Sequence, residues 1–394
     1  MIGWVIAGGV VLTVWLWLLT CHGRFWSTDQ RLPGSAEPHR WPSVAVVIPA
    51  RREADVLPRT LPTVLAQHYP AHARVILVDD DSDDGTGELA GSLARETGAG
   101  LPLTVTAPGS PPQGWTGKTW ALAHGVVEAG QVDRLLFTDA DIAHAPDSLT
   151  ELVRACESGY DLVSQMAVLR TDTRWERLIV PAFVYFFAML FPFRRVNRPA
   201  SRTAAAAGGC VLLRRVALER AGGLSAISGA LIDDVALARL VERAGGRGWL
   251  GLAGKVHSVR SYPRMRDLWH MISRSAYTQL RHSPTLLTGT VLGLALVFLG
   301  PPAVTIAGLA GGGPIALLLG AAAWAIMAGT FAPMLRYYGQ PGAAASLLPV
   351  TAVLYVLMTL DSARRHRYGH GTSWKGRDYP ATPFSEREPK SPSE

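Results

Sequence analysis

The chain has 394 residues, of which 48% are hydrophobic and 18% are charged, and its formal net charge is +7. Soluble domains usually carry about a quarter charged residues, so this composition predicts membrane segments. Basic residues lie beside apolar stretches, at Arg194-Arg195 and in residues 364–367, which is typical of an anionic lipid surface. No nucleic-acid motif accompanies them, so we expect no nucleic-acid partner.

Residues 1–21 are predicted to form a transmembrane anchor, because residues 4–19 are continuously apolar and uncharged. The basic start and small-residue cleavage site of a signal peptide are missing. His22, Arg24 and Arg31 follow the anchor. By the positive-inside rule, they predict a multi-pass protein of the inner (cytoplasmic) membrane whose main domain is cytoplasmic. Residues 22–43 are predicted to be a linker.

Strands alternate with helices from residue 44 onward. Strands are predicted at residues 44–48, 74–78, 103–106 and 256–260 and in a run ending at Asp139, with helices at 56–67, 86–95 and 119–128. This alternation predicts an α/β fold with a doubly wound, mostly parallel sheet. The first strand is not followed by G-x-G-x-x-G, which argues against a dinucleotide dehydrogenase, and there is no P-loop.

The strand beginning at Leu135 ends in two carboxylates, Asp139 and Asp141. If strand geometry persists to its end, the two side chains share a face at the carboxyl edge of the sheet, where open α/β folds bind ligands. Paired carboxylates repel each other unless a cation lies between them, and hard oxygen ligands suit Mg²⁺ or Mn²⁺. The alternative is a solvated turn at the end of a strand.

Five carboxylates follow the second strand within residues 79–84. One interpretation is an acidic turn with a helix cap, for which Ser82, Asp83 and Thr86 are well suited. The other is that a carboxylate such as Asp80 accepts hydrogen bonds from a base or a ribose. Both interpretations can hold together.

Taken in order, residues 48–53, 78–86 and 138–141 resemble the motifs of family 2 glycosyltransferases, over about residues 44–282. Those enzymes have the GT-A fold and use nucleotide-diphosphate sugars. The resemblance therefore implies a GT-A catalytic domain at residues 44–283, with Asp141 as direct metal ligand and Asp139 in support. It also implies a nucleoside site formed by Pro49, Ala50, Arg51, Glu53, Asp79 and Asp80.

Further segments extend the resemblance. Residues 114–122 are similar to the Gly-Trp-x-Gly-Lys segment of membrane-bound members, particularly the hopene-associated glycosyltransferases of hopanoid biosynthesis. This implies that Lys118 lies near the donor diphosphate, although a solvated lysine at a helix start is the alternative. Gly208 and Gly209 lie in a segment that borders the acceptor pocket in that family.

Asp233 and Asp234 occupy the positions of the family's Glu-Asp motif, which implies catalytic roles, with Asp234 as the base. An acceptor hydroxyl is a weak nucleophile until a positioned carboxylate takes its proton. The alternative is a pair of capping residues for the following helix.

Two segments, residues 178–193 and 265–280, are predicted to be interfacial helices. Pro181 and Pro192 interrupt the first, for which a buried core helix is the alternative. Near the second, many family members carry Gln-x-x-Arg-Trp, whereas this chain has Arg274-Ser275-Ala276-Tyr277. The difference argues against a polymerising enzyme and leaves Arg274 as a candidate substrate-binding residue.

Residues 284–361 contain three apolar segments, at 286–309, 315–332 and 343–360, each predicted to span the membrane. Three crossings would place the tail outside, whereas the basic residues after 363 place it inside. Either one segment is re-entrant or the count differs by one. Residues 362–394 are predicted to be a basic polar tail with a disordered end.

These features predict a membrane-associated, inverting glycosyltransferase that moves a sugar from a nucleotide-diphosphate donor to a lipid acceptor at the cytoplasmic face. A hopanoid or polyprenoid-like lipid is the first expectation for the acceptor. A ceramide-type or polyprenyl-phosphate acceptor is the alternative within the enzyme class. The alternative from another class is an idle membrane scaffold within a lipid-synthesis complex, against which the three carboxylates Asp139, Asp141 and Asp234 argue.

Overall fold

A mixed sheet of eight strands lies at the centre of residues 44–283, which we call the sheet domain. The computed structural model describes residues 1–34, 37–98, 100–199, 201–368, 372–374 and 377–379. The strands are β1 (Val44–Ala50), β2 (Ala73–Asp79), β3 (Leu103–Thr106), β4 (Arg134–Thr138), β5 (Ile142–His144), β6 (Leu162–Val168), β7 (Cys210–Arg214) and β8 (Gly248–Ser258). Their order is β3-β2-β1-β4-β7-β6-β8-β5.

Most neighbours in this sheet are parallel, which confirms the predicted α/β class. β1 pairs in parallel with both β2 and β4. The pairs β2–β3 and β6–β8 are also parallel. β7 runs antiparallel between β4 and β6, and β5 is antiparallel to β8. A second, two-stranded pair is formed by β9 (Thr372–Trp374) and β10 (Arg377–Tyr379). The remainder of the predicted tail from residue 369 lies outside the described residues.

Helices cover both faces of the sheet and continue beyond it. They are α1 (Ile2–Thr20), α2 (Leu57–Leu65), α3 (Thr86–Thr97), α4 (Gly117–Glu128), α5 (Ser148–Glu157), α6 (Arg174–Leu190), α7 (Phe193–Val196), α8 (Arg215–Arg220), α9 (Asp233–Arg243), α10 (Met265–Gln279), α11 (Pro284–Leu294), α12 (Gly300–Ala307), α13 (Pro314–Tyr337) and α14 (Leu348–Arg367). π-helical turns at Ala295–Leu299 and Gly308–Gly312 flank α12.

The buried strand β1 divides its side chains between two cores. Val46 and Ile48 pack with α2 and α5, whereas Val47 packs with α4 and α9 on the other face. This alternation follows from the two-residue period of a strand, and burial on both faces explains why the run is continuously apolar. On α4, a Cβ at Gly125 would lie 2.3 Å from Val47 Cγ1, so the glycine allows the helix to pack directly against β1.

Several boundaries differ from those predicted. β5 and α5 were not predicted, because β5 has only three residues and shows no period of its own. β8 begins at Gly248, earlier than the predicted residue 256. α6 begins at Arg174 rather than at 178, because Thr173 and Glu176 form a capping box that starts the helix earlier.

By length and composition, five helical segments among the described residues could cross a membrane. They are Ile2–Thr20, Arg174–Val196, Pro284–Gly312, Pro314–Tyr337 and Gly342–Arg367. An aromatic core joins them, in which Trp15 Nε1 donates to the Val297 carbonyl at 2.7 Å and the Tyr185 hydroxyl lies 2.8 Å from Thr330 Oγ1. The chain therefore carries a membrane-type helical layer packed against the sheet domain.

Two of these five segments contact the sheet domain at both ends. Near the start of the segment Arg174–Val196, Glu176 accepts from the Tyr262 amide at 2.6 Å, and directly after its end Asn197 Nδ2 donates to the Leu250 carbonyl of β8 at 2.9 Å. Before the last segment, the Tyr337 hydroxyl donates to the Ala253 carbonyl of β8 at 2.8 Å. At its far end, Ser362 accepts from the Tyr277 amide of α10 at 3.1 Å.

Candidate active site

The carboxyl ends of β1, β2 and β4 meet at one edge of the sheet, and their loops carry most of the predicted site residues. A cavity of about 540 Å³ opens at this edge. Of the predicted residues, those that line it are Pro49, Glu53, Lys118, Asp139, Asp141 and Arg274. Parallel strands of an open α/β sheet bring such loops together at their carboxyl ends, so this clustering follows from the topology.

The loops after β1 and β2 are joined by Arg51, which is buried. Its guanidinium donates to the backbone carbonyl of Asp80 and lies 3.9 Å from the Asp80 carboxylate, which is itself fully buried. Asp79 accepts from the Ser82 amide at 3.2 Å, and Asp84 accepts from the Thr86 amide at 3.1 Å. The acidic turn is thus organised by its own hydrogen bonds, and Asp84, rather than Asp83, bonds to the first residue of α3.

The prediction that the side chains of Asp139 and Asp141 share one face required strand geometry to persist to the end of the strand. In the structure, strand geometry does not persist through Asp139. β4 ends at Thr138, and the Ile142 amide donates to the Asp139 carbonyl at 3.1 Å, which closes a tight turn. The turn is needed because β5 begins directly at Ile142 and pairs with β8 instead of extending β4. Asp139 and Asp141 nevertheless line the same cavity.

Asp141 is held by two residues at the end of β8 and just beyond it. Its Oδ2 accepts from Ser258 Oγ at 2.8 Å and from Arg260 Nε at 3.2 Å. Arg260 also reaches Glu53, with Nη2 2.5 Å from Oε2. Burial alone would lower the pKa of Arg260, but Asp141 and Glu53 outweigh it and raise that pKa. Sequence reasoning missed Arg260, although an arginine at the end of the predicted strand 256–260 was an available signal.

Lys118, in the first turn of α4, joins the carboxylates of two different loops. Its Nζ lies 2.9 Å from Asp139 Oδ1 and 3.2 Å from Asp233 Oδ2. Burial alone would lower the pKa of Lys118, but the two carboxylates raise it well above its usual value. Burial raises the pKa of Asp139, and the Lys118 ammonium opposes that rise. The solvated lysine considered as the alternative is therefore not what the structure contains.

Asp234 lies beside Lys118 in a smaller cavity of about 10 Å³ rather than in the large one. Its Oδ2 accepts from the Gly208 amide at 2.8 Å and its Oδ1 from the Val235 amide at 2.7 Å. Burial and the neighbouring Asp233 raise the pKa of Asp234 to about 6, against the opposing effect of Lys118. A carboxylate with a pKa near the working pH has the property that a general base needs.

The two predicted glycines face different surroundings. A Cβ at Gly208 would lie 3.3 Å from both Asp234 Oδ2 and Lys118 Nζ, so the missing side chain leaves room for these groups. A Cβ at Gly209 would instead meet Ile142 at 3.1 Å. Of the pair, Gly208 alone borders the ionised cluster.

The donor set at Asp139 and Asp141 fits a divalent cation whose remaining ligands come from a substrate. No cluster of three or more His, Cys, Asp or Glu side chains able to hold a metal occurs in the described part of the chain. Mg²⁺, however, is usually bound by one or two carboxylates together with substrate phosphates. Asp141 contributes to the raised pKa of Asp139, which indicates an excess of negative charge that a cation would offset.

The comparisons with known proteins agree with this geometry. Residues 42–276, more than half of the chain, match the sequence profile described as "Glycosyltransferase like family 2". The chain belongs to glycosyltransferase family 2. The family, together with the mixed sheet, confirms the predicted GT-A fold of this family 2 glycosyltransferase.

The relatives are polyprenyl-lipid enzymes by name. An undecaprenyl-phosphate 4-deoxy-4-formamido-L-arabinose transferase of Aeromonas hydrophila subsp. hydrophila is 34% identical over 140 residues, covering 34% of this chain and 39% of the relative. A polyprenol monophosphomannose synthase of Mycolicibacterium smegmatis is 29% identical over 171 residues, covering 38% and 59%. The chain thus spans less than two thirds of the length of these relatives. Among solved structures, a mannosyltransferase from Pyrobaculum calidifontis in complex with GDP-Man and Mn²⁺ aligns with a TM-score of 0.49 at 18% identity, covering 89% of this chain and 99% of that one.

Proposed function

We propose that this family 2 glycosyltransferase moves a sugar, with inversion, from a nucleotide-diphosphate donor to a polyprenyl-type lipid. The observation that carries the proposal is the convergence of Asp139, Lys118 and Asp234 at the carboxyl edge of the sheet. The names of the relatives support a polyprenyl lipid as the acceptor. A single in-line displacement at the anomeric carbon inverts its configuration, by the same geometry that separates inverting from retaining glycosidases.

The donor binds across the loops after β1, β2 and β4. The loop containing Pro49, Ala50 and Arg51, with Asp79 and Asp80, holds the nucleoside. The diphosphate lies at the inner end of the large cavity, beside Lys118 and Arg260. A divalent cation, Mg²⁺ or Mn²⁺, held directly by Asp141 with support from Asp139, would neutralise the charge that builds on the leaving diphosphate.

Lys118 connects donor binding to the base. Its ammonium pairs with Asp139 and Asp233. A diphosphate competes for the same ammonium through charge-assisted hydrogen bonds, which releases Asp139 for the cation and opens the approach to Asp234. Asp234 then takes the proton from the acceptor oxygen as that oxygen attacks the anomeric carbon.

The contacts of the five apolar segments support a proposal for the membrane topology. Gly312 packs against Trp4, so the turn between α12 and α13 and the start of α1 lie at the same membrane face, away from the sheet domain. Three segments therefore cross the membrane: Ile2–Thr20, Pro284–Gly312 and Pro314–Tyr337. In this proposal the segment Arg174–Val196 is interfacial and Gly342–Arg367 is re-entrant, because contacts with the sheet domain lie at or beside both ends of each.

This topology places the sheet domain and the basic residues 364–367 on the same, cytoplasmic side of the inner membrane, as the positive-inside rule requires. A re-entrant last segment also removes the conflict between three C-terminal crossings and a basic tail. Accessibility labelling of single cysteines tests it, with cysteines placed at Gly311 and at Arg367. Reagent added outside spheroplasts is expected to label only the first, and labelling of both from outside would refute the topology.

Transfer itself is tested by incubating the full-length protein in lipid nanodiscs with Mn²⁺, a panel of labelled nucleotide sugars, and undecaprenyl phosphate, undecaprenol or a hopanoid alcohol. Mass spectrometry of the extracted lipids is expected to show one labelled glycolipid with one donor. Labelling of the hopanoid alone would favour the acceptor suggested by residues 114–122. Labelling of no lipid with any donor would favour the idle scaffold.

A further inference from the structure

The outer end of the large cavity carries a basic cluster that the transfer chemistry at its inner end does not use. We propose that this cluster binds the phosphate of an anionic lipid acceptor, which makes the end of α14 part of the acceptor site. The cluster consists of Arg274 on α10, His282 in the turn before α11, and Arg365 and His366 in the last turn of α14. The inference rests on the proposed function and adds the charge of the acceptor and the place where that charge is held.

The two ends of the cavity differ in how their cations are neutralised. At the inner end, Lys118 and Arg260 are each paired with two carboxylates. At the outer end, Arg365 is paired with Asp361 at 2.9 Å, whereas Arg274 lies within 4 Å of no carboxylate among the described residues. Asp267, the one acidic residue that lines this end in the described chain, is already paired with Arg264 and Arg266. An unneutralised guanidinium facing a cavity attracts an anion, and a phosphate suits its planar donors.

The histidines are held in place by a constrained turn. The rings of His282 and His366 stack with centroids 4.1 Å apart and an interplanar angle of 9°. Tyr277 packs edge-on against both rings, and its hydroxyl donates to the His282 carbonyl at 2.8 Å. Arg281 and His282 have φ values of 50° and 53°, in the left-handed region that non-glycine residues rarely adopt. Such strain persists where surrounding contacts fix it, and it is concentrated at ligand sites.

The position of the cluster identifies a membrane lipid as the source of the phosphate. α11 starts two residues after His282 with apolar side chains directed outward, including Leu286, which is 50% exposed. α14 reaches the cavity from the apolar layer, and Trp269 Nε1 donates to its Asp361 at 2.8 Å, which ties its last turns to α10. A lipid whose chain lies along α11 thus presents its head group to Arg274 and its neighbours.

The same placement connects the cluster to the reaction. Tyr262 lines the same cavity as Asp141 and Arg274. Burial and the Asp141 carboxylate raise the pKa of its hydroxyl to about 12, against the opposing effects of Arg260 and Arg274. A lipid-phosphate oxygen bonds to the anomeric carbon as the bond from that carbon to the nucleoside diphosphate breaks. The products are a glycosyl phosphodiester lipid and free nucleoside diphosphate, and a proton still carried by the phosphate passes to Asp234. A neutral alcohol would leave Arg274 without a counter-ion.

The test measures lipid and nucleotide binding separately, on full-length protein in detergent micelles. Affinities for undecaprenyl phosphate, for undecaprenol and for UDP and GDP with Mn²⁺ are compared by microscale thermophoresis. Arg274→Gln and Arg365→Gln are each expected to weaken undecaprenyl phosphate binding at least tenfold, with undecaprenol and nucleotide binding unchanged. Arg274→Lys is expected to recover part of the loss. Arg266→Gln, which removes an exposed arginine from the same helix outside the cavity, is expected to have no effect.

Three outcomes would overturn the inference. The first is equal affinity of the wild-type protein for the lipid phosphate and the lipid alcohol. The second is a loss of nucleotide binding, rather than of lipid binding, in Arg274→Gln, which would assign the cluster to the donor diphosphate. The third is an equal effect of Arg266→Gln, which would indicate surface charge alone. Absence of nucleotide binding in every variant would instead contradict the proposed transferase while leaving the lipid result to be judged separately.

Discussion

Asp234 should impose a pH limit that is visible without any lipid acceptor. We expect water to be able to replace the lipid as the nucleophile that attacks a bound donor, with Asp234 as the proposed base that acts on the water. With a pKa of about 6, ~90% of Asp234 is ionised at pH 7 and ~9% at pH 5, so donor hydrolysis should fall about tenfold between these values. Hydrolysis should fall, rather than rise, as the pH is lowered, because a carboxylate acts as a base only when it is ionised and Asp234 becomes protonated below pH 6.

The assay is release of nucleoside diphosphate from the donor selected in the transfer screen, with Mn²⁺ and without lipid. Asp234→Asn should lower hydrolysis at pH 7 by about 10²- to 10⁴-fold, the usual contribution of a general base, and should flatten the profile between pH 5 and 7. Glu242→Gln, which removes a carboxylate two turns further along α9, should leave the profile intact. If donor hydrolysis by Asp234→Asn still fell with a midpoint near pH 6, the assignment of Asp234 as the base would be refuted.

Three further predictions concern the surroundings of the site. Gly208→Ala should reduce transfer more than tenfold, because its methyl group would displace Asp234 and Lys118 by a few tenths of an ångström. Gly209→Ala, whose methyl group meets Ile142, should chiefly lower the midpoint of thermal unfolding. Equal effects of the two variants on turnover would contradict this prediction. Removal of divalent cations with EDTA should abolish donor binding in calorimetry. Asp141→Asn should weaken Mn²⁺ binding more than Asp139→Asn. The reverse order would make Asp139 the direct ligand and Asp141 the supporting residue. Glu176→Ala should destabilise the protein by about 3 kcal/mol in thermal unfolding, because the buried carboxylate accepts from three backbone amides. Glu176→Gln serves as the control and should have a milder effect. An unchanged unfolding midpoint in Glu176→Ala would contradict the prediction.

The sheet and its catalytic edge could be predicted because their signals are local. The β-branched run at 44–48 marks a buried strand, and the carboxylates at 79–84 and at 139 and 141 mark the ends of two further strands, without reference to the rest of the chain. Lys118 and Asp234 were found through resemblance to the family, since a lysine or an Asp pair at a helix start has an ordinary structural explanation. The pairing of Lys118 with Asp233, beside Asp234, depends on α4 and α9 approaching the same edge, which no local pattern records.

The features that escaped prediction depend on distant contacts. Arg260 gains its role only through pairing with Asp141 and Glu53, over 100 residues away in each case. The turn through Asp139 depends on β5 pairing with β8. Whether residues 342–367 cross the membrane depends on contacts at both ends of the segment. Hydropathy alone describes only the length and apolar character of these residues.

The proposed transfer of a sugar to a membrane lipid by the carboxylate cluster can be measured directly. Full-length protein and its Asp141→Asn variant are incubated in nanodiscs containing undecaprenyl phosphate, with Mn²⁺ and the panel of labelled nucleotide sugars, and the lipids are analysed by mass spectrometry. We expect a labelled glycosyl phospholipid from one donor with the wild-type protein and a loss of at least a hundredfold in the variant. Equal labelling by both proteins, or no labelled lipid with any donor, would contradict it.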